Sequence, residues 1–172
     1  MTFVVDCMLG KLAKWLRILG FDAVYLNKAE DRDLLLLARR DKRVLLTKDH
    51  ELLLAASDIP GLFIESDNWQ EQLAQVLDAF RLRDRVRPHS RCLLCNVDLK
   101  KIPKRLARNL VAPFVFEKAR SFAICPSCGR VFWPGSHYKD MDLKLARICR
   151  AKGIPGRTRP EGPKKGGRRR KG

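Results

Sequence analysis

Two Cys-x-x-Cys pairs, Cys92 with Cys95 and Cys125 with Cys128, constrain this 172-residue chain more than any other feature. A two-residue gap lets both thiolates of a pair approach one ion from a tight knuckle, and two such pairs complete a closed tetrahedral shell of the kind zinc takes. The 29 residues between the pairs exceed a minimal ribbon and imply an inserted loop or helix, expected in the basic stretch 100–108. A redox dithiol is the competing reading, but it needs neither a second matched pair nor a setting free of βαβ units. With four thiolates in place no coordination position stays open, so this zinc is expected to be structural. His89 and His137 would enter the shell only if a cysteine were missing. The remaining cysteines, Cys7 and Cys149, read as small core residues of a protein in a reducing compartment.

Charge divides the chain. Residues 1–80 carry 10 Lys/Arg against 13 Asp/Glu, and residues 81–172 carry 26 against 6, so the net charges are −3 and +20 within the overall +17. A basic field this concentrated points to a polyanion, because Lys and Arg bind phosphates by releasing condensed counterions. Nucleic acid is the expected partner, and the bland alternative is a solvated basic tail. No apolar run reaches the ~18 residues that a membrane span needs, and no basic leader precedes the first strand pattern. No membrane partner and a cytoplasmic location are therefore expected.

The first eighty residues alternate short β-branched runs with amphipathic stretches. Strands are predicted at 3–6, 23–26, 43–47 and 61–65, with helices at 9–19, 31–40, about 50–56 and 69–80. Gly20 ends the first helix. Repeated βα order argues for a mainly parallel sheet flanked by helices, an α/β domain over 1–80. A basic linker at 81–91 contains the helix-ending Pro88. A small cysteine-centred domain is expected at 92–151, ending in a helix near 141–151, and the Gly, Pro, Lys and Arg of 152–172 are too poor in apolar residues to pack.

Four aspartates gather where a parallel sheet places its binding crevice. Asp6 ends the first strand, Asp49 follows the third, Asp67 follows the fourth, and Asp31 opens the second helix with Asp33 beside it. Converging carboxylates repel unless a hard divalent ion separates them, so Mg²⁺ or Mn²⁺ is the matching cofactor, with Asp6 and Asp49 as its expected ligands. Asp at a strand–helix junction is also the usual N-cap, and Asp31 fits either role. Lys11, Lys14 and Arg17 form a basic stripe on the first helix that either contacts phosphate or is its wet face. In the C-terminal half Arg91, Lys100, Lys101, Lys104, Arg105, Arg108 and Lys118 interleave with Phe114, Phe116, Phe122, Phe132, Trp133 and Tyr138. Some of those rings must build a core, and others are free to stack on bases. Arg168, Arg169 and Arg170 add phosphate-binding charge in the tail.

Three stretches together, 5–22 (Val-Asp-Cys-Met-Leu-Gly-Lys-Leu-Ala-Lys-Trp-Leu-Arg-Ile-Leu-Gly-Phe-Asp), 45–49 (Leu-Leu-Thr-Lys-Asp) and 125–138 (Cys-Pro-Ser-Cys-Gly-Arg-Val-Phe-Trp-Pro-Gly-Ser-His-Tyr), resemble the Mut-seven C-terminal RNase domain family. The resemblance covers about residues 2–150 and implies a PIN-like nuclease domain fused to a zinc ribbon. It further implies a catalytic site at Asp6, Asp31, Asp49 and Asp67, with Thr47 supporting the strand end and Lys11 near the phosphate. Cys7 stands where that pattern leads one to expect a basic or polar residue. The leading expectation is a metal-dependent ribonuclease docked on RNA through its basic half, with tRNA and the ribosome as candidate partners. Its rival is a non-catalytic RNA- or ribosome-binding protein with a vestigial acidic site.

Overall fold

A computed structural model describes residues 1–150. The N-terminal elements follow the βα series: β1 (Thr2–Val5), α1 (Gly10–Ile18), β2 (Asp22–Tyr25), α2 (Asp31–Asp41), β3 (Val44–Thr47), α3 (His50–Ala55), β4 (Gly61–Phe63) and α4 (Trp69–Ala79). The four strands are all parallel, in the order β2-β1-β3-β4. The chain leaves β1 toward one side of the sheet to form β2 and then returns to the other side for β3, so the switch point lies between β1 and β3.

Alternation along the strands buries both faces. Phe3, Val5, Val44 and Leu46 join Leu12, Leu16, Leu73 and Leu77 in one apolar cluster beneath α1 and α4. Val4 and Leu45 face the other way, onto Leu34 and Ala38 of α2 and Leu52 of α3. Fully burying a side chain of this size contributes roughly 1.5–3 kcal/mol. Lys42 (φ 51°) closes α2 in the left-handed conformation, and Gly20 (φ 90°) turns the chain after α1, where a β-carbon would strain the backbone.

The C-terminal half holds a three-stranded antiparallel sheet, β5 (Lys100–Ile102), β6 (Phe122–Ile124) and β7 (Val131–Phe132), in that order. Two short helices, α5 (Lys104–Ala107) and α6 (Pro113–Lys118), occupy the stretch between β5 and β6. Ala107, Ala119 and Phe122 form its small core, covered by Phe116, Val131 and Trp133 among others.

The last helix, α7 (Ser136–Arg150), departs from the division expected at residue 92. Met141, Leu145 and Ile148, spaced 4 and 3 residues apart, join the large cluster of the N-terminal half rather than the cysteine module. His89, in the segment after α4, bonds Asp142 at 2.8 Å and stacks on Tyr138, fastening the same helix. Residues 151–172, with the whole basic tail and Arg168, Arg169 and Arg170, lie outside the described residues.

Candidate active site and metal centre

The carboxyl ends of β1 and β3 meet at the switch point, where Asp6 sits at 5 % exposure. Its backbone N–H donates to Leu46 O (3.0 Å), extending the β1 ladder by one residue. Its carboxylate accepts a 2.8 Å hydrogen bond from Thr47 Oγ1, which is itself fully buried and accepts from Asp49 N at 2.9 Å. No cation pairs with Asp6 among the described residues. A carboxylate this deeply buried is costly unless charge or hydrogen bonds compensate it.

Sequence alone left Asp31 between cap and ligand, and in the structure it is not the N-cap of its helix. Asp49 is the capping residue: its Oδ1 accepts from Glu51 N (2.7 Å) and Leu52 N (3.1 Å) at the start of α3. At α2 the N-cap is Glu30, without a side-chain cap bond, and Asp31 is the exposed first residue of the helix with Asp33 in the same turn. Asp67 is 97 % exposed and ion-paired with Lys48, which sequence reasoning had not singled out. Among the described residues the carboxylates do not draw together as the thiolates do: the one group of three or more candidate ligand atoms within 4.8 Å of each other is the cysteine quartet.

Cys7 is exposed, contrary to its reading as a core residue, because it begins a 3-10 turn (Cys7–Leu9) that carries the chain out of the sheet edge. Its thiol is raised above the ordinary range, chiefly by its hydrogen bond to Asp6, then by partial burial and the negative charges of Asp6 and Asp31. The side chain of Cys149 is not described. Lys11, expected near phosphate, places its ammonium 5.5 Å from the centroid of Trp69, which in turn stacks on Trp15 with centroids 4.2 Å apart.

The cysteine centre is compact. Sγ atoms of Cys92, Cys95, Cys125 and Cys128 lie within 4.8 Å of one another, and Cys92 and Cys128 are 3.9 Å apart. A tetrahedral ion with ~2.3 Å bonds to sulfur holds its ligands about 3.8 Å apart, so the quartet can hold a metal such as zinc. The two knuckles are built alike. Cys95 N points at Cys92 Sγ (3.4 Å) and Cys128 N at Cys125 Sγ (3.5 Å), and the residue after each second cysteine, Asn96 or Gly129, has φ of 58° or 70°. Four thiolates do not ionise together without a cation. Burial works against ionising Cys125, yet the N–H groups of Cys128 and Ser127 and its thiol neighbours bring it to about 7. At Cys95 the bond from Ser127 is outweighed by Cys128, burial, Cys125 and Cys92, which push it to about 11.

Arg17 belongs to this centre rather than to the exposed stripe with Lys11 and Lys14. Its Nε donates to Ala23 O (2.9 Å) and its Nη1 to Leu93 O in the first knuckle (2.7 Å). Burial lowers its affinity for a proton, while Asp22 and the Cys92 and Cys95 sulfurs act the other way. Asn96 makes a second tie, donating to Asp22 (2.7 Å) and accepting from Ala23 N (3.1 Å), and Asp22 is also held by Arg43 at 2.6 Å.

Around the small sheet Lys100, Lys101, Lys104, Arg105 and Arg108 are all exposed. The ammonium of Lys104 and the guanidinium of Arg108 lie 5.0 Å and 6.0 Å from the Phe116 centroid, and Lys118 lies 5.9 Å from that of Phe114, which is 68 % exposed. His89 is committed to Asp142 and takes no place in the quartet, while the side chain of His137 lies outside the described residues.

A parallel α/β sheet flanked by helices, together with a four-cysteine group that could hold a metal such as zinc, characterises the chain. The chain belongs to the family described as Mut7-C RNAse domain, which matches residues 1–153. That membership gives it a nuclease, RNA-related role with RNA as substrate. Neither curated proteins nor solved structures yielded a match. No helix among the described residues is long and apolar enough to cross a membrane.

Proposed function

We infer that the protein is a PIN-like, metal-dependent ribonuclease in which Asp6, Asp49 and Asp31 hold Mg²⁺ or Mn²⁺ at the β1/β3 switch point and the cysteine quartet holds a structural zinc ion. The observation that carries this reading is Asp6: a nearly buried carboxylate at the carboxyl edge of a parallel sheet, oriented by Thr47 and lacking a cationic partner among the described residues. The donor set suits a hard cation, since it is all oxygen. When bound, such an ion supplies charge for the phosphodiester and lowers the pKa of an attacking water. Thr47 fixes the rotamer of Asp6, and the first turn of α2 adds negative charge from Asp31 and Asp33. The outward position of Asp67 leaves it an outer role, with Lys48 beside it. The exposed cations of β5 and α5, Lys100, Lys101, Lys104, Arg105 and Arg108, would neutralise RNA phosphates, as would the tail.

A second reading, a non-catalytic RNA- or ribosome-binding protein, is favoured by one observation: Asp49 spends an oxygen on capping α3. The test is cleavage of labelled RNA with Mn²⁺ by wild type and Asp6→Asn. Metal-dependent cleavage lost in the variant, with RNA binding retained, supports the nuclease. Absence of cleavage by wild type across varied RNAs moves the assignment to the binder.

A further inference from the structure

A cleft of about 530 Å³ opens between α1 and the cysteine module. Its size lies within the ~300–1,000 Å³ range of ligand sites. One wall is the Lys14 side of α1 and the end of β2 at Tyr25; the other is the first knuckle at Leu94 and the β7 edge at Arg130 and Phe132.

Phe132 is the informative residue. In β7 its neighbour Val131 faces the small core, and strand alternation sends Phe132 to the opposite side. It is half-buried, yet it belongs to none of the three apolar clusters, so its ring lines the cleft without serving the core. Tyr25 is held rigidly opposite. Its hydroxyl donates to Cys7 O at 3.0 Å, and its ring lies so close over Gly10 that a β-carbon there would come within 2.9 Å of Cζ. Leu94 adds an apolar side chain that is 59 % exposed. At the rim Lys14 and Arg130 are exposed, and neither enters an ion pair among the described residues.

Rigid rings on an apolar floor with unpaired cations at the rim match unpaired nucleotides: bases stack on the rings and the phosphates meet the cations. Through Tyr25 and Cys7 the cleft also abuts the residue next to Asp6. We propose that this cleft is the docking groove for single-stranded RNA, with a base against Phe132 and Tyr25 and backbone phosphates at Lys14 and Arg130. The assignment rests on the RNA reading of the acidic edge, but it does not require that edge to be catalytic.

The experiment is fluorescence anisotropy of a labelled oligouridylate with the full chain, its cysteine-bound metal retained and no other divalent ion added, over a series of salt concentrations. Phe132→Ala is expected to weaken binding about 5- to 150-fold, the range of a lost base–aromatic stack, and Phe132→Trp to preserve it. Lys14→Gln and Arg130→Gln are each expected to reduce the slope of log affinity against log salt by about 1. Metal content equal to wild type confirms that each variant is folded. Unchanged affinity in Phe132→Ala overturns the proposal and leaves the cleft to an apolar protein segment, and equal weakening by Phe132→Trp overturns the stacking. Failure of wild type to bind the oligonucleotide overturns it too. Because only binding is read, a wild type that binds through Phe132 and never cuts sinks the nuclease and keeps the groove, whereas cleavage with Phe132-independent binding does the reverse.

Discussion

Thr47 Oγ1 donates to the Asp6 carboxylate at 2.8 Å while accepting from Asp49 N at 2.9 Å, so one buried hydroxyl sets the positions of both aspartates at the switch point. Thr47→Val keeps the shape and removes both bonds. The expected cost is ~1–3 kcal/mol, the penalty for leaving buried polar groups unpartnered. Urea denaturation measures it, and Thr47→Ser should recover most of the loss. Cleavage should fall with Thr47→Val beyond any loss of folded protein.

Asp6→Asn tests the same site from the other side. It removes a buried charge without a cationic partner, and asparagine Oδ1 still accepts from Thr47, so stability should hold or rise. Cleavage should be abolished. A thermal midpoint well below wild type would mean that the Asp6 charge is compensated by groups the hydrogen bonds do not reveal.

Cys7 offers a readout independent of activity. Since Asp6 holds its thiol above the ordinary range, Cys7 should carry little thiolate at pH 8 and alkylate more slowly than a free cysteine. Asp6→Asn takes away the leading cause, so its thiolate fraction and alkylation rate should both rise. Peptide mapping of iodoacetamide-treated protein distinguishes Cys7 from the other thiols, and equal rates in the two proteins would disprove the interaction.

Asp22 sets an acid limit on stability. Burial opposes its ionisation, but the bonds from Arg43 and Asn96 prevail and hold its carboxyl below the usual carboxylate range. A depressed folded-state pKa contributes stability that is present above the unfolded value near 4 and is lost as pH falls through the folded one. Asp22→Asn should therefore cost ~1.5–3 kcal/mol near neutrality, as for a lost hydrogen bond to a charged group, and much less at pH 2. Denaturation at both pH values checks it, and an equal cost at each would refute the linkage.

Metal analysis should find one zinc equivalent, and Cys128→Ser should lose it. A small three-stranded sheet around Ala107, Ala119 and Phe122 has little core to stand on without an ion. A folded wild type without bound metal would contradict this.

What the sequence revealed depended on whether local pattern had a single physical meaning. The parallel sheet was legible because the β-branched runs around Val4 and Leu45 sit between helical repeats, and the quartet because its two spacings admit few other uses. The aspartates were ambiguous. A residue such as Asp49 at a strand–helix junction looks the same as cap or ligand, and only the 2.7 Å bond from Glu51 N shows that it caps. Likewise α7 advertised an apolar face in Met141, Leu145 and Ile148, but no periodicity says which core that face joins. Arg17 shares a helical stripe with Lys14, yet it points at Leu93, 76 residues away, a contact no local window contains. Tyr25 and Arg130, which both line the cleft, were missed for the same reason.

The bonds from Arg17 to Leu93 and from Asn96 to Asp22 stitch the first cysteine knuckle onto the opening of β2. The knuckle is also a wall of the cleft. If filling the quartet steadies that wall and so raises affinity for what binds in the groove, then by reciprocity the groove's ligand tightens the hold on the ion by the same factor. An ion that never touches a phosphate would in this way act as an effector of RNA affinity, and zinc release in the presence and absence of oligonucleotide would measure the exchange.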